Sequence, residues 1–355
     1  VKLFDERLIG INKKVFFMEP NEILKTTSKK YLELAIGANL YIPAIKEGIM
    51  EIILRKKYKN LNSLTICMED SIPAEKVAEA EKNVFSILNK LKDYIDSKRI
   101  ESNILPLIFI RVRNLEQFKK IVNRKEELSI LTGIIFPKFN SSNGEKYLDV
   151  LKELNKDINN KIYGLPILES KKIIYKESRV EELLKIKKLL DKNKDYILNV
   201  RMGATDFQGI YSLRRKSDNS IYDIGIIRDC ITDILNMFLR AEQQYVVSGT
   251  VWEYFNSKMD GLIKEVNLDK ANGIIGKTII HPTHISIVNS LYVVTKEEYE
   301  DAIAIVKSND TGAYKSAYNN KMNEISPHLN WANKILRRAY VYGVFNENCS
   351  YLDLL

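Results

Sequence analysis

Cysteine and histidine are both scarce in this chain, with three of each in 355 residues. Cys67, Cys230 and Cys349 are odd in number, lie far apart and form no C-x-x-C pair. That excludes a disulfide framework and a zinc ribbon and fits a reducing compartment. His284 and His328 have no metal-ligand partners at useful spacing. No apolar run is long enough to span a membrane, and residues 1–10 are charged rather than signal-like, so the expected location is cytoplasmic. There is no internal repeat, heptad array or low-complexity segment. No basic run is interleaved with aromatics as a single-strand nucleic-acid groove requires. The net charge of +9 comes from lysines scattered along helical stretches such as Lys185-Ile186-Lys187-Lys188. This reads as a solvated surface, or as attraction for an anionic ligand.

What is present is a sizeable apolar fraction, 45%, arranged as short β-rich runs alternating with longer helical patterns. The runs fall at 38–42, 63–68, 107–112, 133–137, 162–168, 196–202, 244–247 and 274–280. Strands separated by helices are the mark of β/α units, and eight of them predict one (β/α)₈ barrel over 38–307. The clearest helix is 73–91, where Pro73 suits a first turn and Val77, Ala80, Val84, Ile87, Leu88 and Leu91 form one stripe. Residues 1–37 read as a helical lead-in. Residues 308–355 read as a helical extension, a lid or an inter-subunit segment, entered through a polar linker at 308–323.

In such a barrel, function gathers where strands end and loops begin. The residues there are Glu69 and Asp70 after the second run, and Arg111 and Arg113 closing the third. Lys138 follows the fourth, Glu169 the fifth, Asp206 the sixth and His281 the last. Ionisable groups thus recur at one end of six strands, which points to a convergent site. Each also has a plainer reading. Asp206 would cap a helix starting near Phe207, and Glu69 and Asp70 would cap the Pro73 helix. Arg111 would be a structural ion-pair partner, Lys138 a loop lysine, and His281 a structural histidine.

These residues carry a family resemblance. Met68-Glu69-Asp70-Ser71-Ile72 resembles the LEDAV segment of citrate lyase beta subunits and malyl-CoA lyases, and Ile110-Arg111-Val112 their VRVN strand. Phe136-Pro137-Lys138 is similar to LPK, Leu168-Glu169-Ser170 to IET or IES, and Gly203-Ala204-Thr205-Asp206-Phe207 to G-x-x-D-F/L. Gly276-Lys277-Thr278-Ile279-Ile280-His281-Pro282 is similar to GKxxIHP. The motifs keep their order from about residue 38 to 306. The stretches 248–255 and 322–328 resemble a branch of TIM-barrel C–C bond lyases associated with tellurium-resistance gene clusters.

The resemblance implies Mg²⁺ on Glu169 and Asp206, and Arg111 on a substrate carbonyl oxygen that becomes an enolate. It implies Glu69 bracing Arg111 and Asp70 holding water near the metal. Lys138, Arg113, Ser170 and Thr205 are further substrate-contact candidates. Met322-Asn323-Glu324 resembles an M-x-D context that reaches a neighbouring subunit's barrel mouth, which makes Glu324 a candidate catalytic residue and a homo-trimer or hexamer the expected assembly. The chain departs from the pattern at Cys67, where the family has Asp, at Arg113 in place of Asn, and at Gly37-Ala38-Asn39, where an arginine is missing. These departures bear on the substrate more than on the metal.

The implied activity is a Mg²⁺-dependent C–C lyase, or the reverse condensation, on a 2-keto or 2-hydroxy acid fragment carried as a CoA thioester. Arg214-Arg215-Lys216 is a candidate phosphate contact. Alternatives are an aldolase on a free or phosphorylated aldehyde, a metabolite-binding barrel without turnover and, on charge alone, a nucleic-acid binder.

Overall fold

Eight runs rich in β-branched residues pair in parallel, in sequential order, because each is followed by a segment long enough to cross back over the sheet. They are β1 (Ala38–Pro43), β2 (Ser63–Cys67), β3 (Leu107–Arg111), β4 (Gly133–Phe136), β5 (Tyr163–Leu168), β6 (Val200–Met202), β7 (Val247–Ser248) and β8 (Lys277–Ile279). In the last turn of the sheet β8 pairs with β1, and a parallel bridge from Gly249 to Lys277 brings β7 against β8. The sheet therefore closes into the expected barrel. The computed structural model describes residues 1–4, 14–58, 60–156, 158–255, 259–308 and 312–355.

Apart from β1, the strands are shorter than the apolar runs that foretold them, since several run ends are loops leading into or out of the ladder. The helix expected at 73–91 is a 3₁₀ turn, Ala74–Lys76, followed by α1 (Val77–Asp96). Ala80, Val84, Leu88 and Leu91 are fully buried, with Phe85 beside them. Their i, i+4 spacing lays one face against the sheet.

The two ends of the chain meet. Part of the lead-in, residues 5–13, lies outside the described residues; the rest contributes a short helix, Lys29–Leu32, and a strand, Phe16–Met18, that pairs antiparallel with Val344–Phe345. A pairing across more than 300 residues leaves no local signal, so sequence reading took this part as helical. Helix Lys296–Lys307 packs along helix Ile325–Tyr342. Of the expected linker, residues 309–311 lie outside the described residues, and Ala313–Lys315 pairs with Met322–Glu324 as a hairpin. The Ile325–Tyr342 helix is fastened under the strand starts: Tyr342 donates to Leu34 O at 2.8 Å and Lys334 to Gly273 O at 2.7 Å. Both acceptors precede a barrel strand, so this layer sits at the end opposite the strand C-termini. Among the described residues no helix is long and apolar enough to cross a membrane.

Candidate active site

The parallel register places Cys67 at the end of β2 beside Arg111 at the end of β3. Glu69 and Asp70, just past β2, thereby come within reach of the Arg111 guanidinium. Its Nη2 lies 2.9 Å from Glu69 Oε2, 3.3 Å from Asp70 Oδ2 and 3.3 Å from Glu169 Oε1. Lys138, after β4, has a left-handed backbone (φ 50°). Its N–H donates to Glu169 Oε1 at 2.8 Å, and its ammonium lies 2.6 Å from Glu69 Oε1 and 3.3 Å from Asp70 Oδ1. A non-glycine residue in this region is sparsely populated, and here the conformation is held by ties at both ends of the residue.

The capping alternatives are not realised. Neither the Ala74–Lys76 turn nor α1 has a side-chain cap, and the Asp70 carboxylate is held by Arg111 and Lys138 instead. The helix that carries Asp206 runs Ala204–Ile210 and has Gly203 as its N-cap, so Asp206 lies in the first turn rather than at the cap. Gly203 is needed for another reason. A Cβ there would fall 2.2 Å from Glu169 Oε2, so glycine makes room for the carboxylate.

Electrostatics follow from this geometry. Burial pushes the Glu169 carboxyl up to about 8, against the pull of Arg111 and with the Asp206 charge adding to the rise. Burial also raises Glu69, aided by its hydrogen bond with Asp70 and opposed by Arg111. For Asp70 burial pushes upward, but the Glu69 hydrogen bond and the Arg111 and Lys138 charges outweigh it, and its carboxyl sits below the usual range. Burial works against the charged forms of Arg111 and Lys138, yet their carboxylate partners hold both well above their ordinary values.

A cavity of about 450 Å³ opens at the strand C-termini. Asp70, Arg111, Glu169, Thr205 and Asp206 line it together, as the sequence pattern implied, and Cys67 lies on its wall. Arg201, Tyr41 and Thr278 also line it and were missed. An arginine inside the apolar run of β6 was the available signal. Other candidates go elsewhere. Arg113 donates to Ile72 O at 2.9 Å and is not on the cavity wall. The Lys138 ammonium is occupied by two carboxylates. Ser170 precedes the short helix Lys171–Ile174, with its hydroxyl buried and without a partner among the described residues. Glu324 heads the Ile325–Tyr342 helix and does not line its own chain's cavity.

His281 is half-buried, bonded through Nδ1 to Thr283 Oγ1 at 2.8 Å and stacked on Phe255. Of the basic triplet, Arg215 is not a surface phosphate contact: it is buried, with Nη1 on Glu265 and Nη2 on Val251 O, while Arg214 and Lys216 are exposed.

The carboxylate oxygens of this wall are not equally engaged. Both oxygens of Glu69 and of Asp70 are paired, and so is Glu169 Oε1. Glu169 Oε2 and the Asp206 carboxylate accept no hydrogen bond among the described residues. No three His, Cys, Asp or Glu side chains among those residues gather as a closed metal cage.

Comparison with solved structures gives the same architecture. CitE from Mycobacterium tuberculosis, in complex with magnesium, acetoacetate and coenzyme A, is 18% identical over 86% of this chain and 99% of its own, with a TM-score of 0.54. A citrate lyase from Burkholderia xenovorans LB400 is 14% identical over 85% and 91%, with a TM-score of 0.65. The magnesium/glyoxylate complex of Haloferax volcanii malate synthase is 13% identical over 71% and 74%, with a TM-score of 0.54. At these identities the likeness establishes the fold. No curated protein matches the sequence. The family model for C–C bond lyases of the TIM-barrel fold matches residues 30–344, a span holding every barrel strand and the whole acidic wall, and the chain belongs to that family of carbon–carbon lyases.

Proposed function

We propose that this lyase is Mg²⁺-dependent and cleaves, or in reverse forms, a C–C bond joining a 2-keto or 2-hydroxy acid fragment to an acyl group carried as a CoA thioester. The observation that carries the metal assignment is the pair of unengaged carboxylates, Glu169 Oε2 and Asp206, on the cavity that Arg111 also faces. The donor set fits magnesium: hard oxygens, two carboxylates, and room for water and substrate oxygens. Four carboxyl groups, Glu69, Asp70, Glu169 and Asp206, gather here, and a bound cation would favour the ionised form of Glu169 that burial disfavours. Bound there, magnesium would supply Lewis-acid polarisation of the acid fragment's oxygens.

The chain's own residues position and stabilise. In a retro-Claisen or retro-aldol step a carbonyl becomes an enolate, and negative charge gathers on one oxygen. Arg111, braced by three carboxylates, offers a fixed guanidinium to that oxygen and gains more in the transition state than in the ground state. Lys138 keeps Glu69 and Asp70 in place. Asp70, ionised and on the cavity wall, is placed to hold a water. The thioester is supported by the coenzyme A bound to the M. tuberculosis relative and by the exposed Arg214 and Lys216. Glu324 enters this scheme only from another subunit of a homo-oligomer, because in its own chain it does not line the cavity.

Calorimetry tests the metal site: wild type takes up Mg²⁺ and a Glu169→Gln/Asp206→Asn variant does not, and equal affinity would refute the assignment. Turnover of acyl-CoA esters against the matching free acids and aldehydes separates the thioester reading from an aldolase. Mixing inactive Glu169→Gln with inactive Glu324→Gln subunits restores activity if the site is shared. If the mixture stays inactive after verified subunit exchange while a monomeric form remains active, the site is not shared.

A further inference from the structure

Five arginines are buried among the described residues, and four of them meet a carboxylate. Arg111 has its acidic wall, Arg179 lies 2.7 Å from Asp233, Arg215 is paired with Glu265, and Arg338 lies 2.9 Å from Glu298. Arg201 is the exception. It is 2% exposed, and no carboxylate among the described residues lies within ion-pair distance. From β6 its side chain crosses the barrel to the β8–β1 seam. There Nη2 donates to Thr278 Oγ1 at 2.5 Å, and the guanidinium lies 5.5 Å from the centre of the Tyr41 ring. Among the described residues Nη1 is buried without a hydrogen-bond partner, and the Tyr41 hydroxyl is the other polar group facing the guanidinium. All three residues line the cavity. A guanidinium removed from water and given no counter-charge is unfavourable unless an anion completes it. Planar N–H donors in a fork suit a carboxylate best.

We infer that Arg201, seated on Thr278 and Tyr41, receives a second carboxylate of the substrate, so that the acid fragment is dicarboxylic and Arg201 sets that specificity. Arg201 lies within β6, while Glu169 and Asp206 stand past the C-terminal ends of β5 and β6, so Arg201 sits deeper in the barrel. An acid head held through a metal on those two carboxylates would present its other end inward, to Arg201. A cavity of about 450 Å³ accommodates a small diacid in that pose. The inference rests on the cavity being the substrate site and deepens that reading by naming the charge at the substrate's far end.

The test compares 2-oxoglutarate with 2-oxopentanoate, which share a five-carbon skeleton and differ in the distal carboxylate. Dissociation constants are measured by calorimetry on the full chain, with and without MgCl₂. Wild type is expected to prefer the diacid by about tenfold or more, the worth of a charge-assisted hydrogen bond. Arg201→Gln is expected to erase the preference while leaving 2-oxopentanoate affinity within about threefold. No preference in wild type, a preference that survives Arg201→Gln, or equal loss of both ligands each overturns the inference. Should Arg201→Gln fail to fold, Thr278→Val serves: removing the hydroxyl that orients Nη2 should narrow the preference by about threefold, and an unchanged ratio overturns the inference. Magnesium reports separately. If it tightens neither ligand the metal reading fails, while the diacid preference and its dependence on Arg201 still decide this inference.

Discussion

Lys277 on β8 and Arg111 on β3 are both buried cations met by carboxylates, but their surroundings differ in completeness. Lys277 Nζ lies 2.8 Å from Glu265 Oε1 and 2.7 Å from Asp269 Oδ2, two residues one turn apart on helix Asp260–Ala271. Glu265 Oε2 also receives Arg215 and the Ile221 N–H, and Asp269 Oδ1 receives the Tyr222 hydroxyl at 2.6 Å. All four carboxylate oxygens are engaged, Arg215 also lies 3.3 Å from Glu253 Oε2, and none of Lys277, Arg215, Glu253, Glu265 and Asp269 lines the cavity. Around Arg111 two carboxylates are left with free oxygens, and Arg201, deeper in the same cavity, lacks an anion among the described residues. A charge network that completes itself holds a fold together. One that leaves acceptors at the cavity mouth and a donor deeper inside leaves room for a cation and an anion from outside.

Breaking the complete network should give the largest effect on stability. Lys277→Met leaves Glu265 and Asp269 buried with one cation fewer and is expected to cost about 3–5 kcal/mol in urea unfolding. A loss below about 1 kcal/mol would mean the network is less essential than its burial implies. The open cluster should respond in turnover instead. Arg111→Lys should lower kcat by about 10²–10³-fold, because an ammonium cannot reproduce the fixed fork at the developing oxyanion. A change confined to KM would reduce Arg111 to an anchor.

The finest comparison uses two glycines. A Cβ at Gly203 would fall 2.2 Å from Glu169 Oε2, and one at Gly249 2.5 Å from Asp269 Oδ2. Gly203→Ala and Gly249→Ala should each cost about 1–3 kcal/mol in thermal or urea unfolding. Magnesium affinity of the folded protein should fall only for Gly203→Ala, because only Glu169 stands in the proposed metal site. Equal loss in both variants would erase the distinction between the clusters.

Much of this was legible in the chain. All eight strands appear where the apolar runs stand, and Asp70, Arg111, Glu169 and Asp206 do share one cavity wall, because a parallel barrel delivers every strand end to the same face. The misses have physical causes. Arg113 and Arg215 looked like accessible cations, but loop backbone folded over them and gave them internal partners. Lys277 belonged to a recognised motif, yet its acids lie on the helix before it, and nothing local tells a buried triad from solvated charges. The lead-in was expected to be helical, and its Phe16–Met18 segment is a strand only because Val344–Phe345 lies beside it.

Composition, alternation of strand and helix, and the order of strand-end residues determined the barrel and the face on which its chemistry lies. These signals are local and periodic, so a linear sequence carries them. Which charges are spent and which are left over was decided only in three dimensions. Arg201 reads in the sequence as one basic residue in an apolar run. Its lack of a carboxylate, and its reach across the barrel to Thr278 and Tyr41, exist only once β6, β8 and β1 have closed around the cavity.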